Sequence, residues 1–575
     1  MESNWTALLV ATACCTGVSV LFLKLLTSRK VQKKIQRAKL RRDISIQKAE
    51  NAVQQFREKN TGTDVEPILS LSLPELTKKL KEGSLSPDTV LHAYMGKAVE
   101  VNRKLNCATE FLLESCEQLP EVETHREGLL YGVPVSIKEN LGYKGHDSSC
   151  GVICKLEQPA AVDSVVVQVL KRQGAIPFVK TNVPQGMLNY DCSNPIFGQT
   201  LNPHNHQKTS GGSSGGEGAL IGGGGSILGV GTDIGGSIRI PASFCGICGF
   251  KPTANRLSKR GAGSCARGQK SVSSSLGPLA RDVDSLALCM KALLCEDMFS
   301  LDPTVPPIPF NEQEYLSSRP LRIGYYEDDG YQLPSPSMRR ALWEIKELLE
   351  RAGHTLVSFT PPKMDYVMDQ LLIKGVLADG GTTLLSNLKE GPTDPCLQPQ
   401  TVTYNLPHMI KKIISFLLRP IYPRMAMAIG STCGVSSVSD LWRQHTQVEE
   451  YCYHFIAEWR KRELDVLLSP MLGPAFNFRY CGKLTCALNF TMLYNLLDFP
   501  AGAVPVSTVT AEDEEELKNY KGNFRDLWDR FFKKAVTGCQ GLPVAVQCIA
   551  LPWKDELCLR FMKEVEQLVR EHRNK

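Results

Sequence analysis

Two serines and one lysine are the residues of this 575-residue chain whose settings suit covalent chemistry. Ser213 sits near the start of a glycine-rich run, Gly211 to Gly236, and Ser237 directly follows it. The run holds thirteen glycines and no histidine. Glycine loses more backbone entropy on folding than any other residue, so such a concentration points to backbone amides brought close to something. That something is a phosphate, a carbonyl oxygen gaining charge, or another strand.

Spacing separates these readings. A Walker-type phosphate loop needs G-x-x-x-x-G-K-[ST]. The Gly-Lys pairs here, Gly96-Lys97 and Gly482-Lys483, are followed by Ala98 and Leu484, and the run contains no G-x-G-x-x-G. Gly211 to Gly215 does match G-x-S-x-G, but a nucleophile elbow needs a strand before it, and the polar stretch Asn202–Thr209 stands there. The nearest histidines, His204 and His206, read as loop residues. Ile234-Gly235-Gly236-Ser237 fits better, because consecutive N–H groups in a tight turn can meet a developing oxyanion.

Ser237 is then the nucleophile and needs a base. Lys138 ends the apolar segment Tyr131–Ile137, and burial lowers a lysine pKa. A fall from about 10.4 to about 7.5 costs roughly 4 kcal/mol, within the shifts seen for buried groups. Ser213 could relay a proton between Lys138 and Ser237. The alternative is that both serines are turn residues.

The elements that must position these residues read as α/β. Tyr131–Ile137, Ile176–Val179, Ile227–Val230 and Cys245–Phe250 are apolar runs of strand length, and Val165–Leu170 is a helix leading into one of them. Ser72-Leu73-Pro74-Glu75 is a capping box, Ser86-Pro87 opens another helix, and Leu557, Phe561, Val565 and Leu568 recur at helical spacing. Asn60–Asp64 reads as a linker and Pro303–Pro309 as a rigid surface connection, with an SH3 ligand as the alternative. Cys245 and Cys248 form a C-x-x-C without a second pair, so they read as small buried hydrophobes. Twenty cysteines without a framework suit a reducing, cytosol-facing location.

The net charge of +6 is local. The first 42 residues hold nine Lys/Arg and one acid, while the other 533 carry 57 basic and 59 acidic side chains. Nucleic acid is therefore not an expected partner. Trp5 to Leu23 is uncharged over nineteen residues, about 28 Å as a helix and close to the roughly 30 Å bilayer core. Its charges follow rather than precede it, so it reads as a transmembrane anchor with the body in the cytosol; a buried core helix is the alternative. Val31–Asp43 is expected to lie against anionic headgroups. Ile410, Ile413, Ile414, Leu417 and Leu418 form a helical stripe, with Lys411, Lys412, Ser415 and Arg419 on the other face and Pro420 and Pro423 beyond. This segment, 406–429, is either a core helix or one whose apolar face enters a bilayer.

A family resemblance then becomes specific. Gly211–Glu217, Gly231–Arg239 and Cys245-Gly246 to Lys251-Pro252 resemble the signature of the amidase signature family, and Tyr131–Glu139 resembles its upstream lysine motif. The likeness spans roughly residues 70–575. Asp191–Pro195, Leu294–Phe299 and Asp498–Gly502 resemble its membrane-bound members that cleave fatty acid amides.

The resemblance implies a large twisted mixed sheet covered by helices on both faces, with an N-terminal transmembrane helix. It implies three parts: an anchor over 1–28, a basic juxtamembrane helix and linker over 29–68, and a catalytic domain over 69–575 with a membrane cap at 406–429. It implies Ser237 as nucleophile, Ser213 as bridge and Lys138 as base. Ile234, Gly235, Gly236 and Ser237 would form the oxyanion hole, supported by Thr232, Asp233 and Arg239, with Met187, Leu188 and Met492 beside the acyl chain. Some members carry Phe at the position of Leu188. No cofactor and no metal are expected. The expected substrates are lipid amides, N-acylethanolamines such as anandamide and primary amides such as oleamide, and the expected state is a homodimer on endoplasmic reticulum or Golgi membrane. The rival is a soluble-type amidase acting on small polar amides or glutamine.

Overall fold

The computed structural model describes residues 2–62 and 64–574; the side chains of residues 2–8, 11, 13 and 17–25 lie outside the description. Thirteen strands follow the chain: β1 (Ala108–Phe111), β2 (Pro134–Lys138), β3 (Ile176–Thr181), β4 (Ser193–Asn194), β5 (Gly198–Gln199), β6 (Leu228–Asp233), β7 (Cys248–Lys251), β8 (Ser275–Ala280), β9 (Arg322–Tyr325), β10 (Thr355–Ser358), β11 (Val466–Pro470), β12 (Ala501–Thr508) and β13 (Pro543–Ala550). Eleven join one sheet in the order β1-β3-β2-β6-β8-β7-β12-β13-β11-β9-β10, and β4 and β5 pair separately. The sheet is mixed: β3, β2 and β6 are parallel, as are β11, β9 and β10, while the strands between are antiparallel.

Alternation along the strands shows that helices cover both faces. Gly249 pairs with Ala503 and its neighbour Phe250 with Gly502, so Gly249 and Gly502 point to opposite sides. A Cβ at Gly249 would meet Ala242 of the helix Arg239–Cys245, and one at Gly502 would meet Met562 of the C-terminal helix Asp555–Arg573. The C-terminal helix buries Leu557, Phe561 and Val565 of the expected stripe and leaves Leu568 half-buried. The capping box closes as expected, with Ser72 accepting from the Glu75 amide and the Glu75 carboxylate taking the Ser72 amide.

The C-x-x-C does not form a strand throughout. Cys245 ends the helix Arg239–Cys245, Gly246 caps it at φ +69°, and β7 starts at Cys248. A left-handed cap residue turns the chain before it can extend. Pro303–Pro309 connects two helices, with Val305 buried and the Ile308 carbonyl accepting from Arg256.

The first helix runs without a break from Glu2 to Lys59. Among the described residues no helix is long and apolar enough to cross a membrane, and most side chains of Trp5–Leu23, the expected anchor, lie outside the description. From Val31 onward the helix is docked: Val31, Ile35, Ala38, Ala49, Val53 and Phe56 are buried, the first three against Ile153, Leu156 and Ile196. This changes the reading of its basic residues. Lys34 pairs with Glu390 at 3.2 Å, Arg37 with Glu157 at 2.5 Å, and Arg41 with Asp147. These three charges face the protein's own carboxylates rather than headgroups.

The 406–429 stripe forms a hairpin of two helices, His408–Leu418 and Pro423–Ser431, broken at Arg419–Tyr422 as Pro420 and Pro423 dictate. Core packing of the stripe is overturned. Of the stripe, Ile410, Ile413 and Leu417 are 43%, 51% and 63% exposed and Ile414 and Leu418 are half-buried, whereas Lys411, expected on the polar side, is 1% exposed and donates to the Thr432 carbonyl. One residue ties the hairpin to the body. Arg424, buried, donates to both Asp526 oxygens at 3.0 and 2.8 Å, to Asp529 at 3.2 Å and to the Tyr331 carbonyl at 2.5 Å, and its guanidinium lies 4.5 Å from the Phe524 ring centroid.

Candidate active site

In open α/β sheets, sites form beyond the carboxyl ends of parallel strands. Here those ends belong to β2 and β6. Val135, Ser136 and Ile137 align with Leu228, Gly229 and Val230, which carries Lys138 alongside Gly231 and Thr232. Lys138 Nζ lies 2.7 Å from Ser213 Oγ, 2.8 Å from Thr232 Oγ1 and 3.3 Å from the Thr232 carbonyl. The lysine is fully buried. Burial pushes its ammonium down to about 7, against the opposing pull of the Asp233 carboxylate.

Behind this lysine lies a carboxyl group that sequence reasoning left without a role. Glu217, in the helix Gly215–Gly222, accepts from Ser136 at 2.5 Å and Thr181 at 2.7 Å and so ties that helix to β2 and β3. Burial raises its carboxyl to about 7 despite those hydrogen bonds. The helix reaches the sheet because Gly216 has no side chain: a Cβ there would lie 2.2 Å from the Asn182 amide. Ser213 and Ser214 sit just before this helix and no strand leads into them, so the G-x-S-x-G match is not an elbow. His204 bonds the Cys245 carbonyl, as a loop residue would.

The turn after β6 is shaped by Asp233. Its carboxylate accepts the amides of Gly236 at 2.8 Å and Ile238 at 3.0 Å and faces Arg239, whose Nη2 and Nε lie at 2.9 and 3.1 Å. Burial alone would raise this carboxyl; the Arg239 guanidinium outweighs it and holds the group well below the usual carboxylate range. Gly236 adopts φ +118°, and a Cβ there would lie 2.5 Å from Thr491 Oγ1, so glycine is required at this position.

The tight turn expected at Ile234–Ser237 forms, and its amides are not equivalent. The Gly236 amide is engaged by Asp233, while among the described residues the amides of Ile234, Gly235 and Ser237 have no hydrogen-bond partner. Ser237 is half-buried, and its hydroxyl likewise forms no hydrogen bond with a described residue. The structure thus joins Lys138 to Ser213 but does not join Ser213 to Ser237 by a hydrogen bond. Arg239 also reaches Thr491, Asn495 and Gln547 at 2.7–2.8 Å, three partners too distant in sequence for any local pattern to disclose.

Two cavities meet at Ser237. One, about 180 Å³, is bordered by Ser213, Thr232, Asp233, Asn140, Lys259 and Gln269. The other, about 110 Å³, is apolar, with Met187, Ile240, Met368, Ile373, Leu377 and Met492 in its wall. A third, about 600 Å³, opens beyond them toward Leu384, Val438 and His445. Leu188 and Val376 border all three. Met187 is held at φ +56°, an uncommon conformation for a residue with a side chain.

A family model described as Amidase matches residues 89–559. The chain is 53% identical over 560 residues to "Fatty-acid amide hydrolase 1" of Sus scrofa, covering 97% of this chain and 96% of that one. It is 57% identical over 441 residues to "Vitamin D3 hydroxylase-associated protein" of Gallus gallus, covering 76% and 95%. A solved structure titled "Fatty acid amide hydrolase" superposes with a TM-score of 0.76 at 28% identity, covering 95% of each chain. A match over most of the length, together with these relatives and the mixed α/β sheet, establishes that the chain belongs to the amidase family.

Proposed function

We propose that this protein hydrolyses fatty acid amides, N-acylethanolamines and primary amides of the oleoyl type, through an acyl-enzyme on Ser237. The observation that carries this reading is the position of Ser237 where two cavities meet, one almost wholly apolar and the other with more polar side chains in its wall. An acyl chain lies in the first, and the amine departs through the second. The relatives named fatty acid amide hydrolase support the same substrate class.

In the proposed mechanism Lys138 acts as the neutral amine, which burial favours. It gives hydrogens to Thr232 and keeps its lone pair for the Ser213 hydroxyl. Ser213 passes its proton to Lys138 and takes one from Ser237, whose oxygen attacks the carbonyl. Closing the link between the serines requires rotation of a seryl side chain about Cα–Cβ. The amides of Ile234, Gly235 and Ser237 receive the oxyanion. The amide of Gly236 joins only if it leaves Asp233, whose pairing with Arg239 keeps the turn in shape. The proton returns through Ser213 to the leaving nitrogen, and water releases the fatty acid.

Residues 1–28 anchor the chain in an endomembrane of the endoplasmic reticulum or Golgi, 29–68 form the docked helix and linker, and 69–575 form the catalytic domain in the cytosol, as a homodimer. The hairpin at 406–429 dips its exposed apolar face into the bilayer. It is supported by that exposure, and by Val31 and Lys34, which meet the Glu390–Gly391 loop, one helix (Gln398–Asn405) ahead of the hairpin. The test is turnover of a long-chain acylethanolamine and of a short amide by wild type, Ser237→Ala and Lys138→Ala. Equal turnover of the two substrates by wild type would remove the lipid assignment, and an active Ser237→Ala would remove the nucleophile.

A further inference from the structure

Cys265 borders the cavity of about 180 Å³ alongside Ser213 and Ser237, and Cys150 lies behind it in the same apolar cluster as Cys265. Two contacts show how near Cys150 lies to the segment that carries Cys265. A Cβ placed on Gly263, two residues before Cys265, would come within 2.9 Å of Cys150 Sγ. Lys155 Nζ stands 3.9 Å from that sulfur and donates at 2.8 Å to the carbonyl of Ser264, the residue preceding Cys265. Each thiol affects the other. The neighbouring Cys150 thiol, with help from Lys155, holds the Cys265 thiol below its ordinary range, and the same proximity together with burial pushes the Cys150 thiol up. A thiolate-prone sulfur at a cavity wall, with a protonated thiol behind it and an ammonium beside it, is how an attacking and a resolving cysteine are arranged.

We infer that Cys150 and Cys265 form a redox site, at which hydrogen peroxide entering the cavity beside Ser213 produces a disulfide that lowers hydrolysis at Ser237. In the first step the Cys265 thiolate attacks one peroxide oxygen. The O–O bond breaks, and the departing hydroxide takes a proton from Lys155 and leaves as water. The product is a sulfenic acid. The Cys150 sulfur then attacks the Cys265 sulfur, the S–O bond breaks, and hydroxide leaves with the Cys150 proton as a second water. The two thiols lose two electrons, peroxide gains them, and Lys155 recovers its proton from solvent.

Such a bond would be felt in the site because the backbone of Cys150 is built into it. Its amide donates at 2.8 Å to the carboxylate of Glu139, the residue after Lys138. Its carbonyl accepts at 2.8 Å from the amide of Gly186, which precedes Met187. Drawing Cys150 toward Cys265 therefore displaces both the end of β2 and the wall carrying Met187 and Leu188. Displacements of about 1 Å in a positioned site cost up to about a hundredfold in rate.

The experiment uses full-length protein in detergent, reduced, freed of reductant and exposed to graded hydrogen peroxide. Peptide mapping without reduction should recover Cys150 joined to Cys265. Turnover should fall by about tenfold in step with the crosslink and return on adding dithiothreitol. Cys265→Ser should keep the same turnover before and after peroxide. Cys150→Ser should accumulate sulfinic acid at Cys265 and lose the reversibility. A crosslink from Cys154 instead of Cys150, inactivation without any Cys150–Cys265 peptide, or equal peroxide sensitivity in Cys265→Ser would overturn the inference. If a variant does not fold, the wild-type map and its reversal by dithiothreitol decide alone. The map does not depend on the substrate assignment, so failure of one is separable from failure of the other.

Discussion

Arg239 and Asp233 face each other across 2.9 Å with no exposed surface on either side chain. The pair fixes the turn that carries Ser237, because the same carboxylate holds the Gly236 and Ile238 amides. Asp233→Asn should leave the buried guanidinium without its counter-charge and cost about 3–5 kcal/mol of stability. Chemical denaturation reads this, and a loss below about 1 kcal/mol would count against the pair. The sign with pH follows from the depressed carboxyl. Its contribution is complete above the unfolded value of about 3.9 and is lost as pH falls below that toward the folded one.

Lys138 should impose an inflection on the rate. With its ammonium lowered to about 7, the neutral form needed as base is reached near neutrality, so kcat/KM should rise with pH and level off above about 7. Lys138→Ala should remove that inflection and lower the rate by about 10²–10⁴. For stability, the folded state sheds this proton near 7 and the unfolded chain near 10.4, so the cost of burying the lysine is full below pH 7 and shrinks toward pH 10. Lys138→Met should accordingly stabilise the fold more at pH 6 than at pH 10.

Arg424→Leu should loosen the hairpin. It strands Asp526 and Asp529 without their buried partner, which costs about 3–5 kcal/mol. Hydrogen exchange over 408–431 should speed up well beyond that of β12 and β13; uniform acceleration across the chain would refute a local latch.

Placing glutamates at Ile413 and Leu417 puts charge on the exposed apolar face of the hairpin. The ratio of bilayer-borne to short-amide turnover should drop by about tenfold or more, since each charge disfavours contact with the interface. An unchanged ratio would argue that the face meets something other than lipid.

How much of this was legible before the structure depends on how locally each feature is encoded. Lys138 could be placed at a strand end because Tyr131–Ile137 is an apolar run, and Ser237 in a tight turn because glycines precede it. The Asp233 carboxylate's hold on the Gly236 amide is three residues long, yet no composition rule distinguishes it from a free donor. The partners of Arg239 lie more than 250 residues further along, Thr491 and Asn495 on the helix Asn489–Leu496 and Gln547 on β13, and meet it only in the folded chain. Three ion pairs of the basic stretch were hidden for the same reason. Lys34, Arg37 and Arg41 looked like headgroup ligands because Glu390, Glu157 and Asp147 are remote in the chain. Periodicity found the 406–429 stripe but not its direction, since the buried Lys411 alone shows which side turns inward.

The unbroken first helix has one further consequence. A body hung on a flexible tether can swivel; one bolted to a stiff shaft cannot. Residues 2–30 extend roughly 40 Å as a helix, and the same rod is fastened to the domain by Val31, Ile35, Arg37 and Arg41. Whatever grips the far end also sets the direction in which the mouth near Leu188 and the hairpin points. A glycine pair inserted near residue 29 would turn the shaft into a hinge and leave the catalytic residues untouched.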